Sequence, residues 1–468
     1  MKKSILFILL LIVCIGSVSV LSSTVYKEHN DVTFKETVIY GDSSVTKGLH
    51  VLRKSRYLEN IYWDTSVELG TVIETDTTHS FYPTMQTYEY PEPHDGLEMQ
   101  TNFITDMHES DYLRGLSLAY KEALDSLEPG VKKEFTVYLK DYVEYYDFDV
   151  FYDFPNYFTW SFNTGGIVNP VIYEQYDDPQ LDDNWALKNY FKIPVLDDAT
   201  HTFTMEKDSL GYNIYNSYND NHYDINPICA FSDNMCYFII SSKSFNGDIV
   251  DLSLLPDGYG IFAFPYNSNG REFTDALEID KLSVVYPLDP DTEFVRLDIN
   301  DEQTHLQLYI NENDQLWLSV IEISSMKEVQ KILIMESIAT NLSPFSYDNG
   351  LLIVDDYPND KLSLFTETEN HLFEFQFTCS SGQEHVGERY VATFTADYNG
   401  EYLVFSDTDP RHDGNNHDWS DFYLRIYNED GLQYYGKYEN SLDSGLDNDN
   451  WDYPVRADHH DSFEVSWE

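Results

Sequence analysis

Hydrophobic and polar residues alternate along most of this chain. Tyr146, Phe148, Val150, Tyr152 and Phe154 interleave with Asp147, Asp149, Phe151 and Asp153, the period of two that turns one face of a strand to a core and the other to water. Phe135, Val137 and Leu139 repeat the pattern just upstream. After the N-terminal segment, only one stretch has helical spacing. Leu113, Leu116, Ala119, Ala123, Leu124 and Leu127 predict a helix over about 110–127, with Ser110 or Asp111 as N-cap and Pro129-Gly130 as its stop. One helix among many strands excludes a doubly wound α/β sheet, which needs a helix after nearly every strand.

In the second half the alternation recurs as strand, polar turn, strand. Leu306, Leu308 and Ile310 lead through Asn311-Glu312-Asn313-Asp314 into Leu316, Leu318 and Val320, and a Ser324-Ser325 corner leads on to Val329–Leu333. Leu351–Val354 passes Pro358-Asn359-Asp360 to Leu362 and Leu364, then Glu369-Asn370 to Leu372, Phe373, Phe375 and Phe377. Val391–Thr395, Asn399-Gly400, Tyr402–Phe405, Phe422–Tyr427, Glu429-Asp430-Gly431 and Leu432–Tyr438 form a third unit. Asn-Gly and Asp-Gly between alternating runs mark tight hairpins, because the favoured turn places both central residues at positive φ. These are antiparallel meanders, and units of about 45 residues with four short strands are the size of a propeller blade. From about Pro194 to Trp467 the chain resembles extracytoplasmic β-propeller repeat proteins in architecture. Trp63-Asp64 and Trp451-Asp452 stand alone and make no repeated Trp-Asp signature. The expected fold is mainly β, with propeller-like antiparallel blades and one inserted helix; two packed β-sandwich domains are the competing arrangement.

The organisation read from the sequence has four parts. Residues 1–23 are a signal peptide or membrane anchor, because Lys2 and Lys3 precede an apolar run from Ile5 to Val20. Ser17-Val18-Ser19 supplies small residues for cleavage, while the run is also long enough for a thin bilayer, so both fates stay open. The two lysines keep that end inside and put the remainder outside the membrane. A tether follows over 24–31, then a β-rich region over 32–190 holding the helix, then propeller-like meanders over 191–468.

Charge narrows the partners. With 28 Lys and Arg against 82 Asp and Glu, the net charge is 28 − 82 = −54. Such a field repels nucleic acid and anionic lipid headgroups and concentrates cations. A protein or a cell-wall glycan is the expected partner, and the membrane is met only through the N-terminal segment.

Candidate chemistry is sparse. Val38-Ile39-Tyr40-Gly41-Asp42-Ser43 is similar to the nucleophile block of GDSL esterases, and Asp-x-x-His occurs at Asp76–His79 and Asp198–His201. That family implies an alternating βα chain with the Asp-x-x-His near the C-terminus, and neither pair lies there. Asp407, Asp409, Asp413 and Asp418 share one polar loop, and Asp443, Asp447, Asp449 and Asp452 share another. Calcium takes six to eight hard oxygens in irregular geometry, so the first loop is the expected calcium site. Cys229 and Cys236 flank a short turn and are candidates to pair across it; Cys379 stands apart. Tyr142, Tyr145, Tyr146, Tyr434 and Tyr435 are either sugar-stacking surfaces or core. No catalytic residue is assigned. The expected role is binding or scaffolding at the cell surface; the alternative is a secreted hydrolase, a glycosidase before an esterase.

Overall fold

A computed structural model describes residues 32–57, 61–81, 98–101, 111–146, 148–153, 157–162, 190–207, 211–223, 228–265, 279–336, 345–348, 350–356, 359–382, 394–407, 422–440 and 462–467, with Ser17 and Glu384 as isolated positions. Apart from Ser17, the proposed signal, the tether and the second acidic loop lie outside them. Among the described residues no helix is long and apolar enough to cross a membrane. The chain divides into two compact units, one made of Met1–Glu89 with Ala339–Glu468 and the other of Tyr90–Ile338.

The discontinuous unit opens with β1 (Phe34–Gly41), followed by β2 (Leu49–Tyr57), β3 (Ile61–Leu69) and β4 (Glu74–Phe81). The last three pair antiparallel in order. The chain then enters the continuous unit through β5 (Glu98–Thr101), a helix α1 (Asp111–Ser126) and β6 (Lys132–Tyr138). Next come β7 (Phe148–Asp153) and β8 (Tyr157–Phe162), which join β5 in a three-stranded sheet. β9 (Thr200–Lys207) and β10 (Tyr212–Asp220) return to β6 and make the sheet β10-β9-β6.

Two regular blades complete this unit. β11 (Ile228–Ser232), β12 (Met235–Ile239), β13 (Gly260–Pro265) and β14 (Ser283–Pro287) form one four-stranded meander. β15 (Glu293–Ile299), β16 (His305–Glu312), β17 (Gln315–Glu322) and β18 (Lys327–Met335) form the other. The β16–β17 turn has Asn313 at φ 55° and Asp314 at φ 63°, the paired positive values that match the twist of a hairpin. Gln303 clips the two blades together: it accepts from the Asp233 backbone N–H at 2.7 Å and donates to the Asp233 carboxylate at 2.7 Å.

Back in the first unit, β19 (Phe345–Asp348), β20 (Leu351–Asp356), β21 (Lys361–Glu367) and β22 (Phe373–Ser380) make another four-stranded meander. β23 (Phe394–Tyr398), β24 (Leu403–Asp407), β25 (Phe422–Asn428) and β26 (Gly431–Asn440) make the next. Strands from the two ends of the chain then share sheets twice. β1 adds to the edge at β26, and β27 (Ser462–Trp467) adds to β2. Gly41 makes the first junction possible, since it sits at φ +80° and a Cβ there would lie 1.9 Å from the Gln433 carbonyl oxygen. Four-stranded antiparallel meanders are the unit of propeller architecture, and the mainly β fold with a single described α-helix of more than a turn agrees with the sequence pattern.

The local readings differ in detail. α1 runs over Asp111–Ser126 and buries Ala119, Tyr120 and Ala123, with Leu127 just beyond its end. Lys207 closes that end by donating from Nζ to the Leu124 carbonyl at 3.1 Å, a cation where the helix exposes unpaired carbonyls. Gly130 is left-handed, at φ +81°, but lies past the helix and donates its N–H to Lys207. Leu139 leaves the strand for a short 3-10 turn and is fully buried there. Tyr146 precedes β7 as a buried core residue. The division of the sequence at 190/191 falls inside the continuous unit.

The Cys229–Cys236 pair is not made; both residues carry thiols. In the β11–β12 hairpin Cys229 faces Phe238 and Cys236 faces Phe231. The two cysteines are therefore offset by two positions along the strands, where opposed residues are needed for a bridge across a hairpin. Burial pushes both thiols up, so they stay protonated and unreactive.

Candidate functional site

The sheet β10-β9-β6 carries the one buried polar constellation that links the helix to a sheet in the described residues of the continuous unit. His201, Phe203 and Met205 point from the central strand β9 into the core. Phe203 is fully buried, which stabilises by about 1.5–3 kcal/mol. Tyr120 reaches it from α1 edge-on, with centroids 4.6 Å apart, and the His201 ring stacks on it at 5.5 Å.

β10 would run past this site as a plain edge strand but for one extra residue. Tyr215 pairs with Thr204 and Tyr218 with Thr202, so β10 spends three residues where β9 spends two. Asn216 takes the strain at φ 47°, as asparagine tolerates. A bulge of this kind re-aims side chains, and here it turns Ser217 inward to 3.3 Å from His201 Nε2.

The hydrogen bonds fix a tautomer. His201 Nδ1 lies 2.6 Å from Asn219 Oδ1, a carbonyl oxygen that only accepts, so Nδ1 carries the proton. Nε2 therefore accepts, and Tyr120 Oη donates to it at 2.6 Å. His201 is 0% exposed and Tyr120 1%. Burial lowers the imidazole pKa below its ordinary 6.5, opposed by the Asn219 bond. Burial pushes the Tyr120 phenol up to about 12, opposed by the Ser217 hydroxyl.

A serine, a histidine and an asparagine in this order have the form of a nucleophile, its base and the group that orients the base. The base here is already engaged. Its lone pair takes the closer Tyr120 proton, and no substrate atom reaches an imidazole with no exposed surface. What the arrangement does is tie α1 to β9 and β10 through a chain of satisfied buried polar groups, which rigidifies a core.

The discontinuous unit has a second such network. Tyr434 Oη donates to Glu36 Oε1 at 2.6 Å and lies 2.9 Å from Tyr438 Oη. Tyr438 stacks on Phe422 at 4.8 Å. Burial, first among several causes, raises both phenols well above 10. Gly436 leaves room for the pair, because a Cβ there would lie 1.9 Å from Tyr434 Oη.

These findings place the residues singled out from the sequence. Ser43 opens a 3-10 turn capped by Asp42, whose carboxylate accepts from the Ser44 N–H at 2.9 Å. β2 and not a helix follows, so the strand–turn–helix of an esterase nucleophile is not formed. Asp198 is exposed while His201 is buried, and Ser43 belongs to the other unit. Asp407 ends β24 opposite Phe394 and Tyr423; its side chain, and all of Asp409, Asp413 and Asp418, lie outside the described residues. Tyr146, Tyr434 and Tyr435 are buried, and Tyr142 and Tyr145 half-buried, so the aromatic set read as sugar-stacking or core is largely core. Tyr120, Asn216, Ser217 and Asn219 were not legible as a group, since strand periodicity hides a bulge.

No family model matches the chain, and no curated protein does. Solved structures with a distant likeness include the β-propeller domain of Cps50 (Swd1) from Myceliophteria thermophila, at 10% identity over 52% of this chain and 82% of that one, with TM-score 0.23. A hypothetical selenium-binding protein from Sulfolobus tokodaii matches at 10% identity over 84% and 92%, with TM-score 0.26. TolB from Acinetobacter baumannii matches at 10% over 53% and 51%, with TM-score 0.22. At such scores the likeness bears on neither activity nor partner, and the propeller-like reading stands on the strand pairing of the chain itself.

Proposed function

We propose that this protein is an exported, β-propeller-like ectodomain that binds or scaffolds at the outer face of a cell membrane. The observation that carries the reading is the N-terminal pattern, Lys2 and Lys3 ahead of the uncharged run from Ile5 to Val20. The blades support it as a rigid frame for recognition by loops and strand faces. The net charge of −54 favours uncharged or cationic partners over polyanions. Calcium held by Asp407, Asp409, Asp413 and Asp418 is part of the same proposal, as a loop-ordering ion.

The test is protease accessibility of a C-terminal epitope on intact cells expressing the full chain. Digestion without lysis is the expected result. Protection until the membrane is opened overturns the proposal.

A further inference from the structure

The bulge that aims Ser217 inward has an opposite effect on the outer face of the same sheet. Tyr215 and Tyr218 are three apart in sequence, a spacing that puts strand residues on opposite faces. The extra residue at Asn216 brings both to one face, opposite Thr204 and Thr202. Tyr138 joins them from β6, because Tyr138 pairs with Thr200 and Thr136 with Thr202. The Thr136 and Thr202 hydroxyls lie 2.9 Å apart on this face.

Tyr215 is held in place, with Lys132 Nζ 3.9 Å from its ring centroid and its hydroxyl donating to Glu206 at 3.3 Å. Tyr138 and Tyr218 are each 54% exposed, and neither ring nor hydroxyl has a partner among the described residues. They stand on strands two spacings apart and are offset by one two-residue step, which puts their Cα atoms about 12 Å apart.

We propose that this outward face of β6, β9 and β10 is a platform for an uncharged glycan chain; the proposal rests on the surface-binding reading above and names its ligand class. Two exposed tyrosine rings across a row of threonines present flat apolar faces for the C–H side of sugar rings and hydroxyls for their polar edge. A span of about 12 Å suits two to three units of an extended chain. The charge of the protein disfavours an anionic polymer and equally disfavours a second copy of itself. Four charged residues share this face: Lys132 and Glu206, engaged with Tyr215, and the exposed Glu134 and Asp220, opposite Thr204 and Thr200; three acids against one lysine repel an anionic chain locally as well.

The experiment is calorimetric titration of the full chain with chitohexaose, cellohexaose and mannohexaose, with hexagalacturonic acid as the anionic probe. At least one uncharged hexasaccharide binds, and affinity falls at least tenfold in Tyr138→Ala and in Tyr218→Ala while Tyr218→Trp, which keeps a ring, retains it. Phe245→Ala, an exposed ring on another part of the unit, leaves binding unchanged. Failure of all three uncharged sugars, binding that persists in the Tyr138→Ala/Tyr218→Ala double variant, or preference for the anionic probe overturns the platform. A dimer seen by sedimentation and lost in the double variant overturns it too, in favour of contact between copies. A chain that is accessible on cells yet binds no sugar removes only the platform; a chain protected inside the cell removes the surface role itself.

Discussion

The two buried networks solve one problem with different chemistry. In the discontinuous unit Tyr434 and Tyr438 satisfy each other and reach Glu36, while in the continuous unit Tyr120 is satisfied by a histidine. Each binds separate elements through phenol hydroxyls that cannot be left unpaired in a core. The difference is that an imidazole titrates near neutrality and a buried phenol does not. Polar burial therefore makes the continuous unit responsive to mild acid through His201, whereas the two phenols of the tyrosine pair ionise only in alkali.

The largest effect should come at Gly41, which admits the pairing of β1 with β26 that brings Glu36 to the tyrosine pair. Gly41→Ala adds both a left-handed penalty and a Cβ against the Gln433 carbonyl, and should cost about 2–5 kcal/mol in urea unfolding. A cost under about 0.5 kcal/mol would mean that β1 does not pack on β26 as described. Next comes His201→Ala, which leaves a cavity and strands the Tyr120 hydroxyl; about 2–4 kcal/mol is expected from thermal and urea melts.

The pH profile sharpens the comparison. The folded state holds His201 neutral, with its pKa below 6.5, so between that value and 6.5 the unfolded chain binds the extra proton and stability rises with pH. The contribution is complete above 6.5 and is lost as pH falls through the folded pKa. His201→Gln, which keeps a donor and an acceptor without titrating, should flatten this limb. Tyr434 and Tyr438 have raised pKa values, so their contribution is present below 10 and lost as pH climbs beyond it, and Tyr434→Phe should blunt that alkaline loss. Smallest of all, Tyr218→Ala should change stability by no more than about 0.5 kcal/mol, as exposed positions do.

The hairpins were legible because their signals are local. Asn313-Asp314, Asn399-Gly400 and Asp430-Gly431 sit between alternating runs, and the strands they join pair in the expected order. The helix was legible from its spacing. What escaped the sequence is non-local or out of phase. Nothing in Phe34–Gly41 says that it pairs with Gly431–Asn440, and nothing in Ser462–Trp467 points to Leu49–Tyr57. His201 appeared only as the end of an Asp-x-x-His. Its true partners, Tyr120 and Asn219, lie 81 and 18 residues away, and one extra residue at Asn216 undoes the alternation by which faces are read.

The most direct test of the account measures stability and sugar affinity together in two variants of the β10-β9-β6 sheet. The account predicts that His201→Gln lowers the melting temperature and leaves hexasaccharide affinity within about twofold, while Tyr218→Ala keeps the melting temperature and loses affinity. Loss of binding in His201→Gln without loss of stability would contradict it, as would a destabilised Tyr218→Ala that binds as before.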